Sequence, residues 1–144
     1  MAVGAITAQA GDWLTFGGDP QRSGWAKSEE ILNASNVKDL KPECKLKLDN
    51  PPREMYSLTV PVTVNPVITD KGFFELVFIA GTSDVLYAID ADSGKLFWKK
   101  KFDTEGQSRQ QPHWLCHGSL NATPVIDKAT ARYTSSPVTG GSIR

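Results

Sequence analysis

The chain has 144 residues, enough for one domain of ordinary size, and its sixteen Lys plus Arg balance sixteen Asp plus Glu to a formal net charge of zero. With 40% hydrophobic and 22% charged residues, it has the composition of a globular protein and not of a disordered one. Charge balance without a basic stripe gives no electrostatic basis for nucleic-acid binding, and no run approaches the roughly 20 apolar residues that span a bilayer.

The first ten residues, MAVGAITAQA, are small and apolar and close in Ala8-Gln9-Ala10 before the change to Gly11-Asp12-Trp13. An A-x-A triplet ending an apolar run is the signal-peptidase pattern, so residues 1–10 read as the remnant of a secretory signal whose start lies upstream of Met1. A frayed small-residue terminus is the plainer alternative. No cysteine lies near Ala10 to carry a lipid anchor. The two cysteines, Cys44 and Cys116, do not make a disulfide framework and are not expected to pair.

Residues 61–103 carry the clearest pattern. Val62, Val64 and Pro66-Val67-Ile68 predict a short strand, closed by Asp70-Lys71-Gly72. Phe73 to Ile79 is an aromatic and β-branched run of the kind buried on both faces of a sheet. Gly81-Thr82-Ser83-Asp84 predicts a turn, and Val85 to Ile89 a third strand. After Asp90-Ala91-Asp92-Ser93-Gly94 a fourth strand starts at Lys95-Leu96-Phe97-Trp98, where apolar residues give way to lysines as the edge meets solvent. Four short strands joined by tight turns within about 40 residues have the dimensions of one β-propeller blade. In the last turn Asp90 and Asp92 are placed to accept backbone N–H bonds, and Gly94 to take a positive φ. Ala88 leaves room beside the strand, and Trp98 offers a flat ring to wedge against a neighbouring blade.

Residues 104–121 read as a loop. Within it His113, Cys116 and His117 are the one metal-like cluster, since His and Cys ligate zinc or copper. Gln110-Gln111-Pro112 argues for a loop packed by Trp114 and Leu115 in preference to a helix, and a fourth ligand is not in view. Cys116-His117 lacks the first Cys of a C-x-x-C-H haem site. Asp19, Arg22 and Trp25 invite a cofactor reading, against which stands a loop that seals the domain. The acidic pair Asp90 and Asp92 suggests calcium, but the turn already accounts for it. Asn33-Ala34-Ser35 and Asn121-Ala122-Thr123 match the glycosylation sequon, which matters only in a eukaryotic secretory pathway.

At residues 122–144, Ala122-Thr123-Pro124-Val125-Ile126-Asp127 echoes Asn65-Pro66-Val67-Ile68-Thr69-Asp70, so a second repeat begins there. The sequence from Thr130 to Gly140 then lacks a strand period. With codons chosen for the purpose, one base inserted after the Thr130 codon permits the reading T-G-T-I-Y-V-I-A-S-D-G, a turn and a strand, and a compensating base then puts Gly141 to Arg144 back in frame. As written, residues 131–144 are expected to be poorly ordered.

The segment Tyr87-Ala88-Ile89-Asp90-Ala91-Asp92-Ser93-Gly94-Lys95-Leu96-Phe97-Trp98 resembles the A-x-D-x-x-T-G-x-x-x-W signature of the pyrroloquinoline-quinone (PQQ) propeller repeat, with Ser93 where Thr is usual. The resemblance runs from about residue 12 to 130. Asp12 to Gly24 is similar to the family's lead-in, and Asn36-Val37-Lys38-Asp39-Leu40 to the short helical turn before its first core strand. In that strand, within residues 11–60, Cys44 stands where the family generally has Trp. The resemblance implies an all-β, partial propeller: one four-stranded blade plus an incomplete neighbour, not a closed ring.

It further implies an N-terminal fragment of a periplasmic or extracellular bacterial protein, whose parent is a quinoprotein dehydrogenase oxidising alcohols or sugars. Such parents hold PQQ and calcium at the propeller axis, and the cofactor carries the redox chemistry. Within this chain no cofactor and no activity of its own are expected, and the partners are the remaining blades. The same repeat serves non-catalytic scaffolds of outer-membrane assembly, so the motif does not choose between an enzyme and a protein-binding surface. A fragment without independent function is the third reading. A lone blade and its start should be marginally stable, because repeat architectures bury their faces against neighbours.

Overall fold

A computed structural model describes residues 11–50, 57–102, 120 and 122–129, together with the backbone of 132–134. The described chain is all-β apart from a single 3-10 turn at Val37–Asp39. Strands β1 (Val62–Thr69), β2 (Gly72–Gly81), β3 (Val85–Asp90) and β4 (Lys95–Lys101) form an antiparallel sheet in chain order, which does not close on itself. Strands β5 (Val125–Asp127) and β6 (Arg132–Thr134) form a separate antiparallel hairpin.

The turns fall where Gly and Asp place them. At the β1–β2 turn the Lys71 N–H donates to the Thr69 hydroxyl at 3.1 Å. At the β2–β3 turn Asp84 takes φ +62° and its N–H donates to the Gly81 carbonyl at 3.1 Å, a conformation that Asp tolerates better than most side chains. Strand β1 is less regular than its sequence implies. Pro66 follows a cis peptide bond and lacks an N–H, and the register shifts between Val64 and Val67. Pairing also begins earlier than Val62, with Thr59 N–H donating to the Ala80 carbonyl at 2.8 Å and a bridge from Leu58 to Gly81.

Side chains on the sheet alternate between two faces. One face carries the core: Val62, Val64, Leu76, Phe78, Ala80, Leu86 and Ala88, covered by Leu14, Leu120 and Ile126. The other face carries Tyr87, buried and bonded to Asp49 of the lead-in, and Val77, Ile79 and Ile89, half-buried, with Leu96, Ile68 and Phe73 exposed. The expectation that β2 is buried on both faces is therefore corrected. Leu76, Phe78 and Ala80 are buried, while Phe73 is 74% exposed, because among the described residues no second sheet lies on that side.

The first core strand expected around Cys44 is also corrected. Residues 40–50 carry no ladder. They are fastened to the sheet at points: Cys44 against Gly94, Asp49 by Tyr87 and Lys99, and Asn50 by Ser57 and Ser83. The third difference lies at the C-terminal end. Arg132–Thr134 pairs with Val125–Asp127 in the sequence as it stands, because backbone groups alone suffice for a three-residue ladder. The shifted frame is not required for that hairpin, and the rest of 131–144 lies outside the described residues.

Candidate functional site

The best-built local structure is the β3–β4 connection. The Asp90 carboxylate accepts the Asp92 N–H at 3.2 Å and the Ser93 hydroxyl, while the Gly94 N–H donates to the Asp90 carbonyl at 2.9 Å. Gly94 sits at φ +64°, and a Cβ built there would lie 2.7 Å from both Cβ and Sγ of Cys44. Backbone hand and space both select glycine. Cys44 is an exposed free thiol, and its place beside Gly94 gives it a packing role. Ala88 stands directly opposite Phe78 on one side and Trp98 on the other. The Phe78 and Trp98 rings meet edge to face at 5.8 Å across the fully buried methyl group of Ala88. The four motif residues Ala88, Asp90, Gly94 and Trp98 thus occupy one end of β3 and β4, each with a packing or hydrogen-bonding task.

A second constellation joins the first sheet to the hairpin. The Trp13 and Thr63 backbones exchange hydrogen bonds at 2.9 Å, and the Ile126 N–H donates to the Leu14 carbonyl at 2.9 Å. Two consecutive lead-in residues therefore stitch β1 to β5. Asp12 caps this seam: one carboxylate oxygen accepts the Asn65 N–H at 2.9 Å and the other the Lys128 ammonium at 2.7 Å. Lys128 also donates to the Asn65 carbonyl at 2.9 Å. Sequence reading missed Asp12 and Lys128. Their only signal is the repeat echo, which places Lys128 at the turn after the second Pro-Val-Ile.

The lead-in loop does not gather Asp19, Arg22 and Trp25 into a pocket. The Asp19 carboxylate accepts both the hydroxyl and the N–H of Ser23, and these bonds hold it below its ordinary pKa. Arg22 is exposed at φ +56°, and Trp25 is 68% exposed with the Lys27 ammonium 5.4 Å from its ring. Gly18 lies against the Trp13 ring, where a Cβ would come within 2.8 Å of it. The loop is built by local hydrogen bonds and packs toward Trp13.

Acidic groups near the motif turn are already engaged. Glu75 accepts the Asn65 amide at 3.3 Å, and burial, followed by the charge of Asp92, raises its pKa. On the face opposite the core the hydroxyl of the buried Tyr87 donates to Asp49 at 3.0 Å. Burial first, then Asp49, raises the phenol above its ordinary value. Asp49 in turn is held low, mainly by the Lys99 ammonium bonded to it. Among the described residues no three His, Cys, Asp or Glu side chains converge as metal ligands. These residues do not fit a calcium-bound quinone, whose metal needs several oxygen ligands at once. His113, Cys116 and His117, and with them both histidines of the chain, lie outside the described residues. Among those described, no helix is long and apolar enough to cross a membrane. Comparison with protein-family models, curated proteins and solved structures returns no match to the chain.

Proposed function

We propose that the chain is a blade, and the start of a second, in a β-propeller of the PQQ-repeat type, and that its described residues serve the architecture of that propeller. The observation that carries this reading is the β3–β4 connection. Asp90 ties the turn, Gly94 supplies its positive φ, and Trp98 closes over Ala88 against Phe78. Each residue of the resemblance has a physical task at the spacing the repeat requires. The hairpin at Val125–Asp127 supports a second unit placed against the first.

On this reading the parent protein is a quinoprotein-type dehydrogenase outside the cytoplasm, oxidising alcohols or sugars with PQQ and calcium. The Ala8-Gln9-Ala10 triplet closing an apolar run, outside the described residues, is the sequence ground for that compartment. A non-catalytic propeller that binds other proteins is the second reading. Its ground is the blade itself, in which the Asp90 and Glu75 carboxylates are held by internal hydrogen bonds from Asp92, Ser93 and Asn65 and serve packing. The coding DNA around the gene tests the shared part. Further Asp-x-x-Ser/Thr-Gly-x-x-x-Trp repeats in frame are expected, and a locus without them refutes the propeller. Quinone and calcium added to the full-length product, with dye reduction by alcohols as readout, then divide enzyme from scaffold.

A further inference from the structure

The two edges of the first sheet are finished differently. At β1 the Thr63 backbone exchanges hydrogen bonds with Trp13 of the lead-in. At β4, among the described residues, no strand pairs on the outer side. One bond fixes which β4 groups face outward. The Phe102 N–H donates to the Asp84 carbonyl at 2.8 Å, which makes the facing residues Val85 and Lys101 a non-hydrogen-bonded pair. Alternation then leaves Lys100 and Trp98 to exchange bonds with Leu86 and Ala88, and turns the N–H and C=O groups of Lys99 and Lys101 away from β3.

Positive charge gathers along the same edge. Strand β4 reads Lys95-Leu96-Phe97-Trp98-Lys99-Lys100-Lys101, four lysines and no acid, and all four are exposed. Cys44 rests on Gly94, just before β4, and Asp49 is bonded to Lys99, so residues 45–48 run beside the strand and bring the exposed Lys45 and Lys47 to it. Of the nearby acids, Asp49 is taken by Lys99, and Asp84 accepts the Leu120 N–H at 3.1 Å. Glu43 and Asp92 lie at the far end, by the turn before β4. The excess charge therefore sits where the outward backbone groups are. Lysines on an edge repel a second copy of the same strand. That repulsion is also a selection, because an extended chain of opposite charge is attracted and its main chain matches the free groups. We propose that the β4 edge is a docking site for an extended acidic segment of another protein, added as a fifth strand. Its main chain bonds Lys99 and Lys101, and its alternate carboxylates lie along the lysines. The proposal needs only the first sheet and goes beyond the propeller reading.

The probe is a blocked peptide of alternating Glu and Val, seven residues long like β4, added to the full-length chain. Amide hydrogen exchange by NMR is expected to find Lys99 and Lys101 fast in the free chain and slowed by the peptide, with Trp98 and Lys100 protected throughout. Lys100→Glu together with Lys101→Glu is expected to weaken binding by about tenfold or more. Lys101→Pro removes an outward N–H that β3 does not use, and should abolish the protection while circular dichroism stays unchanged. Four results overturn the proposal: no binding; binding without protection of Lys99 and Lys101, which is attraction by charge alone; equal binding of the peptide with Gln in place of Glu; or protection of both amides in the free chain, which shows an edge already covered. A gene without further repeats would reject the propeller and leave this edge untouched.

Discussion

The lead-in segment, residues 11–50, and the first sheet are ordered by different means. In the lead-in most side-chain bonds are local. Ser23 binds Asp19, Ile31 and Leu32 donate to Glu29, and Ser35 donates to Asn33, so few residues separate donor from acceptor. It leaves Phe16, Trp25, Ile31, Leu32, Val37, Leu40 and Leu46 exposed. The sheet instead joins residues far apart in sequence and buries Phe78, Leu76, Leu86 and Val62 almost completely. Hydrogen bonding alone fixes a loop's shape, while burial supplies most of the stability. The lead-in should therefore tolerate substitutions that the sheet does not.

The largest effect is expected at Phe78. Phe78→Ala removes a ring at the centre of the core and should cost about 3–5 kcal/mol in urea unfolding. Trp25→Ala, although it removes a larger ring, should stay within about 0.5 kcal/mol. Comparable losses at the two positions would break the contrast between the regions.

Next in size is Gly94→Ala, which meets a wrong backbone hand and the Cys44 side chain together. A loss of about 1–2 kcal/mol is expected from the positive φ and the crowding. Adding Cys44→Gly should recover only the crowding share, a coupling of about 0.5–1 kcal/mol in a double-mutant cycle. Strict additivity would show that Cys44 does not rest on that turn.

A smaller effect belongs to the seam. Lys128→Ala should cost about 0.2–1 kcal/mol, as expected for a partly exposed pair, and the difference from wild type should shrink as salt is raised. Thermal melts at two ionic strengths read it directly.

The smallest effect is a pH slope. Glu75 has its pKa raised by burial and then by Asp92, so the folded chain binds its proton more tightly than the unfolded chain does. Its contribution to stability is present below the unfolded carboxyl pKa and is lost as pH rises through the raised folded value. Glu75→Gln should melt slightly higher than wild type at neutral pH, and the gain should vanish in acid. A gain that persists in acid would place its origin elsewhere.

Much of the first sheet was legible because its signals are local. The strands from Gly72 to Lys101 announce themselves by β-branched and aromatic runs, and Asp84 and Gly94 stand where the chain must turn. The motif residues were legible in the same way, since their tasks are met within the β3–β4 connection and its neighbours. Cys44 was misread as part of a core strand because a strand needs a partner, and residues 40–50 find fastening points without a ladder. The Arg132–Thr134 pairing was hidden for the opposite reason: backbone bonding leaves little trace in side-chain pattern. Asp12 and Lys128, 116 positions apart, meet only after the sheet exists to bring them together.

Trp13 and Leu14 have a consequence for the way the chain is made. They leave the ribosome early, yet the carbonyl of Leu14 awaits the N–H of Ile126, more than a hundred residues later. Among the described residues the seam therefore joins the positions farthest apart in sequence, at the greatest loop-closure cost, and becomes available only after the first sheet has emerged. The first sheet can assemble on the nascent chain while its N-terminal stitch stays half-made. Only when Ile126 emerges is the lead-in joined to both sheets at once.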